Sequence, residues 1–182
     1  MTKTFKEKTI KSFVRRTGRI TKAQSAALKT IWPLFGVGFD KKRLDLASLY
    51  KRKGSIILEI GFGNGETLVE EAIENPKNNY FGIEVHKPGI GYCLLKIKKS
   101  GVSNIKLSSH DAIEVIKYQI KNNSLYRVNL LFPDPWPKKK HHKRRLISEN
   151  FISLIESKLK PNGIVHICTD WADYAHDIHA LF

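Results

Sequence analysis

Cysteine, methionine and acidic residues are scarce in this chain: two, one and 17 among 182 residues. Cys93 and Cys168 show no C-x-x-C spacing and lie in apolar or helical stretches, so both read as reduced core residues rather than as a disulfide framework. Seven histidines are present, yet none has ligand spacing to acidic or cysteine partners, and no metal site is expected. His141 and His142 sit inside a basic run, where a metal ion would be repelled. No run of about 18 apolar residues exists, which excludes a membrane-spanning helix. Met1 to Phe13 is basic but lacks the apolar core, about 7–15 residues long, of a signal peptide. These absences predict a cytoplasmic protein.

The shortage of acid has a second consequence. Against 17 Asp and Glu stand 32 Lys and Arg, a formal charge of +15. That balance suits a polyanionic partner, because each neutralised phosphate releases counterions. A lysine-rich composition alone would raise the count without function, so clustering has to decide, and the charge is clustered. Residues 1–22 carry Lys3, Lys6, Lys8, Lys11, Arg15, Arg16, Arg19 and Lys22 against the single acid Glu7. Such an extension need not order alone.

The most informative feature that is present is a glycine-rich turn. Ile56-Ile57-Leu58-Glu59-Ile60 leads into Gly61-Phe62-Gly63-Asn64-Gly65, and after a helix-like stretch comes Tyr80-Phe81-Gly82-Ile83-Glu84-Val85. Continuous apolar runs are the mark of buried parallel strands. Glycine lets the backbone turn sharply and approach a ligand, and an acid ending the next strand can accept hydrogen bonds from ribose hydroxyls. The dinucleotide fingerprint is G-x-G-x-x-G, whereas Gly61, Gly63 and Gly65 give G-x-G-x-G. Glu59 and Glu66 flank the turn and would repel a pyrophosphate. They suit a ligand carrying an ammonium and a sulfonium, as S-adenosylmethionine does.

From Gly54 onward strands and helices alternate. Strands are expected at Ile56–Ile60, Tyr80–Val85, Asn104–Leu107, Arg127–Phe132 and Ile164–Cys168. Helical spacing recurs at Leu68, Val69, Ala72 and Ile73; at Ile113, Ile116 and Ile120; and at Ile147, Phe151, Leu154 and Ile155. Lys160-Pro161-Asn162-Gly163 is expected to close a helix and turn into the fifth strand. A last helix runs from Ala172 to Phe182. Alternating units predict a doubly wound, Rossmann-like α/β sheet of five parallel strands with right-handed crossovers. Residues 1–53 read as a basic arm with helices at Ala23–Thr30 and Leu44–Tyr50, and 54–182 as the ligand-binding domain. An exposed fifth strand would leave an unprotected sheet edge.

Open α/β sheets bind ligands at the carboxyl ends of their strands. Here those ends carry Glu59 with the glycine turn, Glu84, His110-Asp111, Pro133-Asp134-Pro135-Trp136 and Thr169-Asp170-Trp171. Acids recurring at strand ends are costly to explain as packing. Glu84 suits a ribose diol, Asp111 an adenine amine, and Glu59 the turn or the amino-acid end of the ligand. Prolines on both sides pre-organise Asp134, and Trp136 offers a face on which a base can stack. Lys138-Lys139-Lys140-His141-His142-Lys143-Arg144-Arg145 follows without one acid. Its attachment to the mouth of the site favours a nucleic-acid backbone clamp over a solvated surface.

Arg15-Arg16-Thr17-Gly18-Arg19, Leu58-Glu59-Ile60-Gly61-Phe62-Gly63, Gly82-Ile83-Glu84-Val85-His86, His110-Asp111-Ala112, the Phe132–Arg145 segment and Thr169-Asp170-Trp171 together resemble the bacterial tRNA (guanine-N7)-methyltransferases. The likeness runs from about Ser12 onward, with the motifs in the family's order. It implies methylation of N7 of a variable-loop guanine (position 46 in tRNA numbering) with S-adenosylmethionine as donor. By position, Glu59, Glu84, Asp111 and Asp134 match cofactor contacts, to which the turn glycines Gly61, Gly63 and Gly65 belong. Asp134 matches the catalytic residue. Lys138 and Asp170 match substrate-binding positions, and Lys140, His141, His142, Lys143, Arg144 and Arg145 match the RNA-contacting stretch. The family continues past this point with further strands and a Thr-x-x-Glu substrate motif, so a C-terminally truncated enzyme is expected, and it is read as a monomer. A catalytically impaired remnant that binds RNA and cofactor is the alternative. The glycine spacing disfavours an NAD enzyme. Trp136 after a single Pro135 disfavours an amino-group methyltransferase, whose signature there is Asn/Asp-Pro-Pro-aromatic.

Overall fold

The computed structural model describes residues 18–182. The basic residues 1–17, with most of the Arg15–Arg19 motif, therefore lie outside the described residues. Six parallel strands form one sheet: β1 (Gly36–Val37), β2 (Ile56–Ile60), β3 (Asn79–Ile83), β4 (Ile105–Ser108), β5 (Leu125–Leu131) and β6 (Leu159–Cys168). The order is β1-β4-β3-β2-β5-β6. The chain thus builds outward from β2 to β4, then crosses back to lay β5 on the other side of β2. This reversal is the switch point at which doubly wound sheets bind ligands.

The sheet holds one strand more than the five read from sequence. The addition is β1, which pairs Gly36 with Leu107 and Val37 with Ser108; two residues are too few to show a period. Strand β6 also begins earlier than expected. Leu159 already pairs with Leu125, and Ile164 resumes pairing with Arg127, so residues 160–163 loop out of register between them. Asn162 takes φ +62° in that loop. Lys160–Gly163 is therefore an interruption within a strand, not a helix terminator before one.

Helices α1 (Lys22–Thr30), α2 (Trp32–Phe35), α3 (Leu46–Tyr50), α4 (Glu66–Glu74), α5 (Lys87–Ser100), α6 (Ala112–Glu114), α7 (Glu149–Lys158) and α8 (Ala172–His179) cover the sheet. A π turn, Val115–Gln119, continues α6, and a 310 turn spans Lys139–Arg144. Local capping sets several starts. Thr21 and Gln24 form a reciprocal capping box at α1, and Ser148 accepts from the Phe151 amide at α7. Sequence periodicity missed α5, whose start carries Pro88, Gly89 and Gly91 in place of a clear apolar stripe.

Alternate residues of the buried strands feed two cores, one on each face. Leu58, Ile60, Phe81, Ile83, Val128 and Leu130 pack with Phe151, Ile155 and Tyr174. Ile57, Tyr80 and Leu107 pack with Leu68, Val69, Leu94 and Ile97. Each such buried aliphatic or aromatic side chain contributes about 1.5–3 kcal/mol. Residues before Gly54 enter both cores, Leu46 and Tyr50 in the first and Ala27 and Ile31 in the second.

Cys93 is fully buried, and burial pushes its thiol up to about 12. Cys168 departs from the expected core position: it is half-buried at the end of the edge strand β6, with Sγ 3.4 Å from His166 Nε2. An apolar groove of about 480 Å³ runs between β6 and α7, lined by Phe151, Ile155, Val165, Ile167 and Phe182 among others. No helix among the described residues is long and apolar enough to cross a membrane.

Candidate methyl-donor and RNA site

Parallel pairing brings the carboxyl ends of all strands to one rim, and the glycine turn lies at its centre. Gly61, Gly63 and Gly65 all take positive φ, +73°, +56° and +72°, where a Cβ costs about 1–2 kcal/mol. Their surroundings differ. A Cβ on Gly61 or Gly63 would meet open space, whereas one on Gly65 would lie 2.4 Å from Cys93 Sγ. The first two glycines therefore leave the outer side of the turn open, and the third packs the turn against α5.

Glu84, just past β3, ties the turn in place. Its Oε2 accepts from the Gly63 amide at 2.9 Å, and its Oε1 accepts from the amides of Val85 and His86 at 2.6 and 2.8 Å. Three of about four acceptor positions on that carboxylate are thus engaged. Asp111, past β4, accepts from the Glu114 amide at 3.2 Å and caps α6. Beside it His110 Nε2 lies 2.5 Å from Glu114 Oε2, and the His110 ring stacks on Phe39 at 3.8 Å.

Glu59 differs from the other rim acids. It sits within β2 on the same face as Ile57, only 3% exposed, opposite Asn129 of β5 across the switch point. Desolvation, with the nearby Glu71 carboxylate, pushes its carboxyl up to about 7, only partly offset by Asn129 and Arg127. Arg127 itself is paired with Glu71. The Asn129 amide stands near enough to Glu59 to ease its charge, yet Glu59 Oε2 and both side-chain polar atoms of Asn129 are buried without a well-formed hydrogen bond among the described residues. Orphaned polar atoms below an open, glycine-lined backbone fit a polar ligand seated at the switch point.

After β5 the chain enters the proline loop. Phe132 and Trp136, on either side of Asp134, both take left-handed φ, +52° and +47°. Such strain persists only where the surroundings over-determine it. The Phe132 amide donates to Cys168 O at 2.8 Å as the last rung between β5 and β6. Asp134 is exposed at the rim. Trp136 does not present a bare stacking face: the Arg144 guanidinium lies 5.0 Å over its ring, and His141 meets its edge at 5.8 Å. Lys138 is exposed just before the 310 turn and Lys139, Lys140 and Lys143 along it, and Asp170 is exposed in the loop after β6.

Arg145 belongs to the basic run by sequence but not by placement. Its side chain is 5% exposed and points inward, so the structure does not leave it available as an RNA contact. The guanidinium pairs with Asp173 at 2.7 Å and with Asp177, both on α8, and donates through Nε to Pro135 O at 2.8 Å. His142 Nε2 lies 3.9 Å from Asp173. The ligand atoms of His142, Asp173 and Asp177 lie within 4.8 Å of one another, but the Arg145 cation already neutralises this cluster, and a metal ion would have to displace it.

Comparison with known proteins is consistent with this arrangement. Residues 53–182 match a family described as "Putative methyltransferase". The tRNA (guanine-N(7)-)-methyltransferase of Nitrosococcus oceani is 49% identical over 177 residues, 97% of this chain and 75% of that protein. The protein of the same name from Shewanella oneidensis is 50% identical, over 91% of this chain and 70% of its own length. In three dimensions, the precorrin-6y C5,15-methyltransferase of Geobacter metallireducens is similar with a TM-score of 0.57 at 18% identity, over 93% of this chain and 74% of that one. That likeness establishes the Rossmann-like class I fold. With near-half identity spread over almost its whole length, the chain belongs to the tRNA (guanine-N(7)-)-methyltransferase family.

Proposed function

We propose that this chain transfers the methyl group of S-adenosylmethionine to N7 of a guanine in tRNA, at position 46 of the variable loop. One observation carries the reading: the glycine turn and the proline-bracketed Asp134 follow the adjacent parallel strands β2 and β5 at the switch point, and the second segment runs directly into a lysine-rich turn. Bound there, S-adenosylmethionine would supply an electrophilic methyl carbon on a sulfonium. Gly61, Gly63 and Gly65 shape its seat, Glu59 and Glu84 answer its positive charge and ribose, and Asp111 and Asp134 complete the contacts. The orphaned atoms of Glu59 and Asn129 support that fit.

The acceptor needs little from the protein. N7 of guanine is a free lone pair, so no base has to remove a proton before the transfer. As the N–C bond forms and the C–S bond breaks, positive charge moves onto the purine. Asp134 is the catalytic residue in this reading: a fixed carboxylate stabilises that charge as it develops and aligns base with donor. Lys138 and Asp170 flank the guanine, Asp170 accepting from its N1–H and amino group. Lys140, His141, His142, Lys143 and Arg144, together with the N-terminal cations, hold the phosphate backbone.

The test is transfer of labelled methyl from S-adenosylmethionine to unmodified tRNA by the 182-residue chain, with the modified base mapped. Label at N7 of the variable-loop guanine is the expected result. Label on another atom or another RNA overturns the substrate assignment. Cofactor binding without transfer identifies a donor-binding, RNA-binding remnant.

A further inference from the structure

The proline loop cannot be held by its own backbone. Prolines at 133, 135 and 137 remove three amide donors, and Phe132 and Trp136 on either side of Asp134 are in left-handed conformations that favour neither residue. Something outside the loop must set its course. Among the described residues, Arg145 makes the contact suited to this. Its Nε donates to Pro135 O at 2.8 Å, at the centre of the loop. The two other arms of the guanidinium reach Asp173 and Asp177, and its central carbon lies 4.7 Å from the centre of the Tyr174 ring. The Tyr174 hydroxyl in turn accepts from the Ile147 amide at 3.1 Å, just beyond Arg145 in the chain.

The two aspartates are matched to that cation. Two carboxylates at i and i+4 of one helix repel each other, and Asp173 and Asp177 stand so on α8, 61% and 55% exposed. A guanidinium forked between them turns the repulsion into a charge-assisted grip. Lysine cannot do the same, because its ammonium offers no planar fork able to serve two carboxylates and a carbonyl together.

We propose that Arg145, gripped by Asp173 and Asp177, is a positioning residue that fixes the 133–137 loop, and with it Asp134, against α8. The proposal rests on the methyltransferase reading for its effect on turnover, but not for its effect on the loop. Arg145 acts through Pro135 and touches neither donor nor base.

The test compares Arg145→Gln, Arg145→Lys and Asp177→Asn with Lys143→Ala in the full chain. Three quantities are read: hydrogen exchange at the Phe132 amide, which donates to Cys168 O at the entry to the loop, kcat and KM for tRNA methylation, and the salt dependence of tRNA binding. Arg145→Gln is expected to speed exchange at that amide at least tenfold while β2 and β3 stay protected. It should lower kcat about tenfold with KM for tRNA and the salt slope unchanged. Arg145→Lys should recover only part of either effect, and Asp177→Asn should move both in the same direction but less. Lys143→Ala should do the reverse, leaving exchange alone and reducing the salt slope by about one. Unchanged exchange in Arg145→Gln, or a shallower salt slope with kcat intact, overturns the proposal. If the unaltered chain transfers no methyl group, the function fails and the exchange arm alone decides whether Arg145 positions the loop. Should Arg145→Gln also lose protection in β2 and β3, the exposed Asp177→Asn variant decides it.

Discussion

The two halves of the rim reach their geometry by opposite means. The glycine turn is held through its own amides, one donating to the main-chain Ile83 O and one to the Glu84 carboxylate, and its conformation comes from positive φ at three glycines. The proline loop has given up amides and is held by side chains, with Arg145 beneath Pro135 and Arg144 over Trp136. A backbone-held site is sensitive to an added methyl group and indifferent to most distant side chains. A side-chain-held site answers to single charges far away in sequence. Donor binding and acceptor placement therefore fail to different mutations, and that separation can be attacked directly.

The hardest blow to the backbone-held half is Gly65→Ala. The new Cβ would meet Cys93 Sγ at 2.4 Å and Cys93 Cβ at 2.8 Å while forcing a left-handed alanine. Strain of about 1–2 kcal/mol and overpacking of similar size give a loss of about 3 kcal/mol. The urea midpoint should fall at constant m-value. Gly61→Ala, with open space above it, should keep most of the stability and lose donor affinity instead. Equal stability losses in the two variants would show that packing against α5 does not distinguish them.

In the other half, Asp134→Ala removes an exposed carboxylate from the proline loop. Affinity for tRNA should hold within about twofold, while turnover falls about 100-fold, the usual scale for losing one electrostatic stabiliser of a transition state. Turnover retained within a few-fold would take Asp134 out of the reaction.

Why one half was readable in sequence and the other was not follows from the same contrast. A left-handed turn beside a ligand demands glycine, so Gly61, Gly63 and Gly65 announce it by residue type. Parallel strands announce themselves as apolar runs, which is why β2 and β3 lie within a residue or two of their expected bounds. Arg145 looks like its neighbours in a run of cations, and what distinguishes it stands 28 and 32 residues further on. No local pattern carries that information. Asp173 and Asp177 were the available signal, an acidic i,i+4 pair in want of a cation. Glu59 was legible as a residue and less so as an environment: its place in β2 puts it on a core face beside Asn129 rather than on the open rim.

That environment makes Glu59 a pH probe of the backbone-held half. Its folded value of about 7 lies above the ordinary 4.5, so the folded state binds the proton more tightly than the unfolded one. The stabilisation from holding that proton is complete below about pH 4.5 and is lost as pH rises through 7, a decline of about 3 kcal/mol. Glu59→Gln, which keeps the shape without the charge, should flatten this part of the stability curve. An unchanged decline would assign the titration to another group.

The smallest effect expected is also the cleanest division between holding the loop and holding the RNA. Lys140 and Lys143 are exposed on the 310 turn and contribute nothing to the Arg145 grip. Replacing both by alanine should leave stability within about 0.5 kcal/mol and donor affinity unchanged. It should weaken tRNA binding several-fold at moderate salt and make the dependence on log salt shallower by roughly 1–2, as two fewer phosphates are neutralised. Arg144→Ala should differ, because removing its guanidinium also uncovers the Trp136 ring. A free indole face can stack on an unpaired base, so part of the lost phosphate affinity would return as salt-independent binding. If Arg144→Ala instead matched the lysine pair in both slope and affinity, Trp136 would take no part in RNA contact, and the turn would hold tRNA by charge alone.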